Sequence, residues 1–529
     1  MKILFAAQRA TRCFLNHKQY YLHGASNLGG YSHASMSIRL PKSLFYGHQF
    51  SNSTVLNGTA SSFRSIKDGK KHENNDNFEK KVNLAITYNC IETIKPASQT
   101  PYDLRTFNLS IIDQWFHDCY PTLILFFPNK KVASVTDVIK NLKESLSQIL
   151  TRFYPIAGEV KNNLHIECND KGVNFLEARV NQSLKEFLRH PDDEKVRELV
   201  PNSPRIGEPS IGNYVMGVQV NTFSCGGIGL SMSATHKIFD GHTYFLFLKA
   251  WAAAAIGSPE RMSPSFVASQ VFPNNPSLKY SWPAKFTSTE SNITKRFLFD
   301  SVAIASLKAQ PVSCTGLSTP RSGPTRMEAT SSLIWKVVAK ASSIVRSFGP
   351  QSPHALFSFV NFRKRVSPPL PYNSIGNLVL TATAICFPES QPDLPTLMGE
   401  IRESIAKINS DHIECIKGEK GHEEFSQLLR SLKDLTDVTE DGDNCLFVTS
   451  LLNSGMYELD FGWGKPIWFY NINPGFSRIV TLNDTLKAGS VEATVTLKFD
   501  EMEIFEHDHE LLSYATVDPS PLNFNDHST

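Results

Sequence analysis

Apolar and polar positions divide the chain into a polar beginning and two stretches in which helical and strand-like patterns mix. Thr122 to Phe127 (TLILFF) is an unbroken apolar run that reads as a buried strand. From Val135 to Arg152, Val, Ile and Leu recur at helical spacing, and Tyr154-Pro155 ends the pattern. Val215–Phe223 and Gly229–Thr235 alternate around a Cys-Gly-Gly turn, which predicts a hairpin, with a helix following from about Thr243 to Ala254. The second stretch repeats the mixture. Helices are expected near Arg326–Val345 and Asp393–Ile408, and strands near Leu378–Cys386, Cys445–Leu452 and Glu492–Phe499.

A Pro- and Ser-rich connection from Gly257 to about Thr289 and a loose segment from Lys308 to Thr325 bracket the expected domain boundary. The organisation this implies is a leader and linker over 1–80, an N-terminal domain over 81–290 and a C-terminal domain over 310–529. With 529 residues, 41% of them hydrophobic, the chain can fill two cores, since single cores stop growing beyond roughly 250–300 residues. The first 67 residues contain no Asp or Glu but carry Lys2, Arg9, Arg12 and further basic residues, as a plastid or mitochondrial transit peptide does. An unstructured leader or an upstream extension of the reading frame accounts for them equally well. Without such targeting, the cytoplasm is the expected location.

Charge and cysteine usage narrow the class. A formal net charge of +2 gives no overall field for nucleic acid, and no run approaches the roughly 18 apolar residues of a membrane span. The nine cysteines are scattered singly, which argues against a disulfide framework and for a reducing compartment. His507-Asp508-His509-Glu510 offers metal-ligand types, but in a polar segment without a partner cluster it reads as surface, and no metal site is expected.

The candidate chemistry lies in His236-Lys-Ile-Phe-Asp240-Gly241. A histidine four residues before an aspartate is weak evidence alone: His72 and Asp76 share the spacing inside the polar linker. His236 differs because it ends a strand-like run and precedes a glycine that can turn the chain, and catalytic groups concentrate at rigid strand ends. An imidazole near its ordinary pKa of about 6.5 is largely neutral at pH 7 and free to accept a proton. Asp240 is expected to fix the local turn.

Those residues match the H-x-x-x-D-G motif of the plant BAHD acyltransferases, and Asp460-Phe-Gly462-Trp463-Gly464 matches that family's D-F-G-W-G. Leu109-Ser110-Ile-Ile-Asp113-Gln114, Tyr154-Pro-Ile-Ala-Gly158, Asn361-Phe-Arg363-Lys-Arg365 and Gly376-Asn377 also resemble family segments. The likeness runs from about Lys81 to Leu522 and is nearest the alkaloid O-acetyltransferase branch. Glu159 departs from it, standing where relatives carry arginine.

The resemblance implies an α/β fold of two chloramphenicol-acetyltransferase-like domains with a solvent channel between them. It implies a monomeric acyl-CoA-dependent O-acyltransferase with no bound cofactor, no membrane or nucleic-acid partner, acetyl-CoA as co-substrate and a hydroxylated specialised metabolite such as an alkaloid as acceptor. His236 is then the general base, with Asp240 and Asp460 as catalytic or supporting residues and Gly241, Gly462, Trp463 and Gly464 as motif support. The Trp463 N–H and a backbone amide near Gly241 become candidate oxyanion donors. Asp460 is expected to pair with an arginine, and Arg363, Ser110 and Asp113 are candidate CoA or substrate contacts. Malonyl or hydroxycinnamoyl transfer, N-acylation, and a non-catalytic binding role are the alternatives.

Overall fold

The computed structural model describes residues 84–524 apart from 129–133, 202–213, 260–261, 280–285, 287–290, 313–322, 347–352 and 439–443; the expected leader lies outside them. In chain order the strands of the two larger sheets are β1 (Ile86–Ile94), β2 (Thr122–Phe127), β3 (Val173–Val180), β4 (Met216–Phe223), β5 (Ile228–Ala234), β6 (Asn292–Phe299), β7 (His354–Asn361), β8 (Val379–Cys386), β9 (Cys445–Ser450), β10 (Trp468–Ile472), β11 (Ile479–Asp484), β12 (Val491–Lys498) and β13 (Ala515–Val517); three short strands at Thr106–Asn108, Glu159–Lys161 and His165–Glu167 form a small third sheet. The helices that matter for the site are α1 (Ile111–Trp115), α2 (Val135–Leu150), α3 (Gly241–Ala255), α4 (Arg326–Val345) and α5 (Leu394–Ala406).

Side chains at the N-cap positions set where these helices start. Ser110 and Asp113 form a capping box on α1, Thr325 and Glu328 form another on α4, and the Asp240 carboxylate accepts from the Thr243 amide at the head of α3. The apolar spacing of α2 buries Val138, Leu142, Leu146, Ile149 and Leu150 on one face, at about 1.5–3 kcal/mol for each large side chain fully buried. That face meets α3, where the Trp251 indole N–H donates to Ser145 Oγ at 3.0 Å. The platform beneath the candidate histidine is therefore packed on both sides.

Two mixed sheets organise the described chain. The first has the order β1-β3-β4-β5-β2-β10, and the second β8-β7-β9-β11-β12-β6-β13. β2 is buried at every position, as its apolar run requires; β5 is also buried throughout, Ser231 and Ser233 included, and β4 and β5 form the expected hairpin, turning at Gly226. β10 crosses over: it comes from the C-terminal half yet pairs antiparallel with β2, Trp468 opposite Phe126 and Ile472 opposite Thr122. Trp468 stacks on Phe126 at 5.3 Å while Phe469 turns into the core on the other face. The pairing covers the β2 edge and carries residues of the C-terminal half to within one strand of β5, whose end shortly precedes His236. Among the described residues, no helix is long and apolar enough to cross a membrane.

Candidate active site

His236 follows β5 directly, and its backbone is held by an N–H donated to the Cys119 carbonyl at 2.8 Å. Its ring stacks on Phe116, with centroids 4.3 Å apart and planes inclined by 21°. The neighbouring Lys237 is buried and turns its ammonium back to the carbonyls of Gln114 and Phe116, fixing the segment that presents the Phe116 ring. Burial pulls the imidazole down to about 4, against smaller opposing influences that include Asp240 and Asn377. The ring is therefore neutral at physiological pH.

Its tautomer follows from the hydrogen bonds of Asn377. The amide nitrogen of that side chain donates to Asp113 Oδ1 at 2.9 Å and to the His236 carbonyl at 2.6 Å, so its oxygen is the atom facing His236 Nδ1 at 3.1 Å. An amide oxygen only accepts, so Nδ1 carries the proton and Nε2 keeps its lone pair. Asp113 is fixed in turn by Ser110, whose N–H and hydroxyl both donate to Oδ2, and by the Asn377 amide N–H on Oδ1 at 2.7 Å. Burial raises the Asp113 pKa, while these donated hydrogen bonds pull the other way.

Ser110 and Asp113 are thus not the expected CoA or substrate contacts. Both are buried, both are spent on the α1 cap and on Asn377, and neither lines the cavity described below. Asn377 itself was legible only as part of the Gly376-Asn377 resemblance, which carried no hint that it would meet a histidine 141 residues away. Asn377→Ala is expected to lower kcat by about 10- to 10²-fold, because a misoriented base loses most of its positional advantage, with KM for acyl-CoA unchanged. Steady-state kinetics on the folded variant would show this.

Asp240 turns away from the imidazole. Its carboxylate takes two parallel hydrogen bonds from Arg363, Nη1 to Oδ2 at 2.7 Å and Nη2 to Oδ1 at 3.1 Å, and also accepts from the amides of Thr243 and Leu378. Burial pushes the carboxyl pKa upward, but the arginine charge and these donors outweigh it and hold it below the ordinary range. Arg363 donates further to the carbonyls of Gly376 and Ser374. This corrects the expectation that Arg363 contacts coenzyme or substrate: the guanidinium is 3% exposed and saturated within the fold. The pair ties the head of α3 to the segment carrying Asn377. At Gly241 a Cβ would lie 2.5 Å from a Leu451 methyl brought in from the C-terminal half, so a larger residue would have to displace that side chain.

The second motif does something different. Asp460 makes no ion pair among the described residues; its Oδ1 accepts from the amides of Gly462 at 2.7 Å and Gly464 at 3.0 Å. Both glycines have positive φ, +109° and +118°, which suits this tight turn. The arginine expected beside Asp460 belongs to Asp240 instead. Trp463 is buried against Phe127 and Phe461, its N–H has no hydrogen-bond partner, and it does not line the cavity, so the structure does not bring it to the reacting position. Glu159, the departure from the family pattern, forms ion pairs with Lys161 and Lys171 that hold its carboxyl down to about 2. Asp508 caps the short helix at His509–Leu512 and pairs with Lys340.

His236 opens onto a cavity of about 170 Å³ to which both halves contribute. Phe116, Leu123, Phe239 and Tyr244 line it from the first half, and Phe359, Phe447, Thr449, Ile472, Phe476 and Ile479 from the second. Phe476 meets His117 edge-on across the opening, 6.4 Å between centroids. A neutral imidazole with a free lone pair, facing a mostly apolar cavity shared by two sheets, is suited to removing a proton from a bound hydroxyl.

Residues 84–512 match the model of the Transferase family, which sets the class as a transferase. A limonoid 7-O-acetyltransferase of Citrus sinensis is 36% identical over 82% of this chain and 98% of its own length. An epi-neemfruitin B 7-O-acetyltransferase of Melia azedarach is 35% identical with the same coverage. The crystal structure of vinorine synthase superposes with a TM-score of 0.70 at 31% identity, covering 81% of this chain and 98% of that one. The chain belongs to the BAHD acyltransferases of the transferase family, and it is an acyl-CoA-dependent acyltransferase.

Proposed function

We propose that this enzyme transfers an acetyl group from acetyl-CoA to a hydroxyl of a plant specialised metabolite, with His236 as general base. The observation that supports this most is the Asn377 contact, which leaves Nε2 as the unprotonated ring nitrogen of a partly buried imidazole beside the cavity. In this reading Nε2 takes the acceptor's hydroxyl proton as the oxygen bonds to the thioester carbonyl carbon. The tetrahedral oxyanion collapses, the carbon–sulfur bond breaks, and the departing CoA thiolate recovers the proton from the imidazolium. No covalent acyl-enzyme is needed, and a positioned base contributes typically about 10²–10⁴-fold. The named acetyltransferase relatives support the donor.

The test is thiol release from acetyl-, malonyl- and p-coumaroyl-CoA, each with a panel of hydroxylated metabolites. Acceptor-dependent release fastest with acetyl-CoA is expected; release only with another donor would displace the acetyl assignment. The pH profile gives a second check. Because burial favours the neutral ring, kcat/KM should stay level as pH falls through 6.5 and decline only as the ring gains its proton near about 4. A half-maximal point near 6.5 would mean that the base is solvated.

A further inference from the structure

Resting on that reading of His236, the next question is what kind of ring bears the acceptor hydroxyl. Among the described residues lining the cavity, Asp240 is the sole carboxylate, and both of its oxygens are occupied by Arg363 and two backbone amides. His117 and His236 are the lining histidines, and burial lowers the pKa of each, so neither supplies a charge at neutral pH. Lys237, buried beside the motif, adds a cationic group and not an anion. Asp118, next to His117, is exposed and outside the lining. What remains is aromatic and aliphatic surface from Phe116, Phe359, Phe447, Leu451 and Ile479, with the neutral hydroxyls and amides of residues such as Thr449 and Asn471.

We infer that the hydroxyl-bearing ring of the acceptor is uncharged: the cavity takes a neutral, largely apolar polycyclic alcohol and rejects a protonated amine at that ring. A buried ammonium loses its hydration and needs a carboxylate or several aligned acceptors in return. The described lining residues offer no free carboxylate, and the Arg363 guanidinium that clamps Asp240 carries the wrong sign. The rule applies to the ring beside His236 and leaves distant substituents unconstrained. An alkaloid acceptor is admitted only where its basic nitrogen lies away from the reacting hydroxyl or is unprotonated. This places the limonoid acceptor named for the Citrus sinensis relative nearer to the site's chemistry than an amino alcohol.

Binding tests this independently of turnover. The probes are a tetracyclic steroid alcohol and the same skeleton with a tertiary amine on the hydroxyl-bearing ring, titrated into the full-length enzyme by calorimetry below and above the amine's own pKa. The neutral alcohol should bind on the order of 100-fold tighter than the protonated amine, with the gap closing once the amine is deprotonated. Ile479→Asp places a carboxylate on the partly exposed cavity wall and should tighten the protonated amine about tenfold, whereas Ile479→Asn should not. Equal or tighter binding of the protonated amine to the unmodified enzyme overturns the inference, as does failure of the neutral alcohol to bind. The acyl-transfer reading is judged separately by acceptor-dependent thiol release, so either can fail alone.

Discussion

Asp240→Ala is expected to lower the folding free energy by roughly 3–5 kcal/mol and to abolish activity with it. Arg363 would keep a full charge at 3% exposure without the carboxylate that balances it, and the Leu378 and Thr243 amides would lose their acceptor. The same guanidinium holds the Gly376 carbonyl, so the segment that presents Asn377 to the imidazole loosens as well. Thermal or urea unfolding measures the stability loss. Asp240→Asn, which keeps the N-cap acceptor but lowers the charge, should fall between the wild type and Asp240→Ala. A double variant replacing both Asp240 and Arg363 with apolar residues should recover part of the stability, because no lone buried charge remains.

His236→Ala should behave in the opposite way. Its backbone bonds to Cys119 and Asn377 survive, so the fold should hold, while kcat drops by about 10²–10⁴-fold and KM for acyl-CoA changes little. The two substitutions lie four residues apart in one motif yet separate cleanly. One removes the proposed base, and the other removes the brace that joins the halves. Stopped assays with matched folded fractions distinguish them. If His236→Ala retained wild-type turnover, proton removal would have to come from elsewhere.

The sequence carried much of this. A long apolar run announced β2, which is buried on both faces, and alternation around a Cys-Gly-Gly turn announced the β4–β5 hairpin. The α4 prediction of Arg326–Val345 coincides with the observed helix, since Thr325 and Glu328 give its start an unambiguous cap. β1, exposed over most of its length, and β10, five residues long, gave no comparable pattern, and so the crossing of β10 into the first sheet went unforeseen. At the site, the residue types at His236, Asp240 and Gly241 were legible and their partners were not. Arg363 lies 123 residues from Asp240, and Asn377 lies 141 from His236. Such pairings are properties of packing. Family resemblance pointed to Arg363, Ser110 and Asp113 as notable positions, and only geometry showed that they hold the base without lining its cavity.

The claim beneath all of this is that His236 is a neutral imidazole protonated at Nδ1, with Nε2 free. Nitrogen chemical shifts of the ring in histidine-labelled enzyme, assigned by the signal lost in His236→Gln, report both protonation and tautomer. The expected result is an Nδ1–H form that persists below pH 6.5 and gains its second proton only near about 4. An Nε2–H tautomer, or a titration midpoint at the ordinary value of about 6.5, would contradict the account.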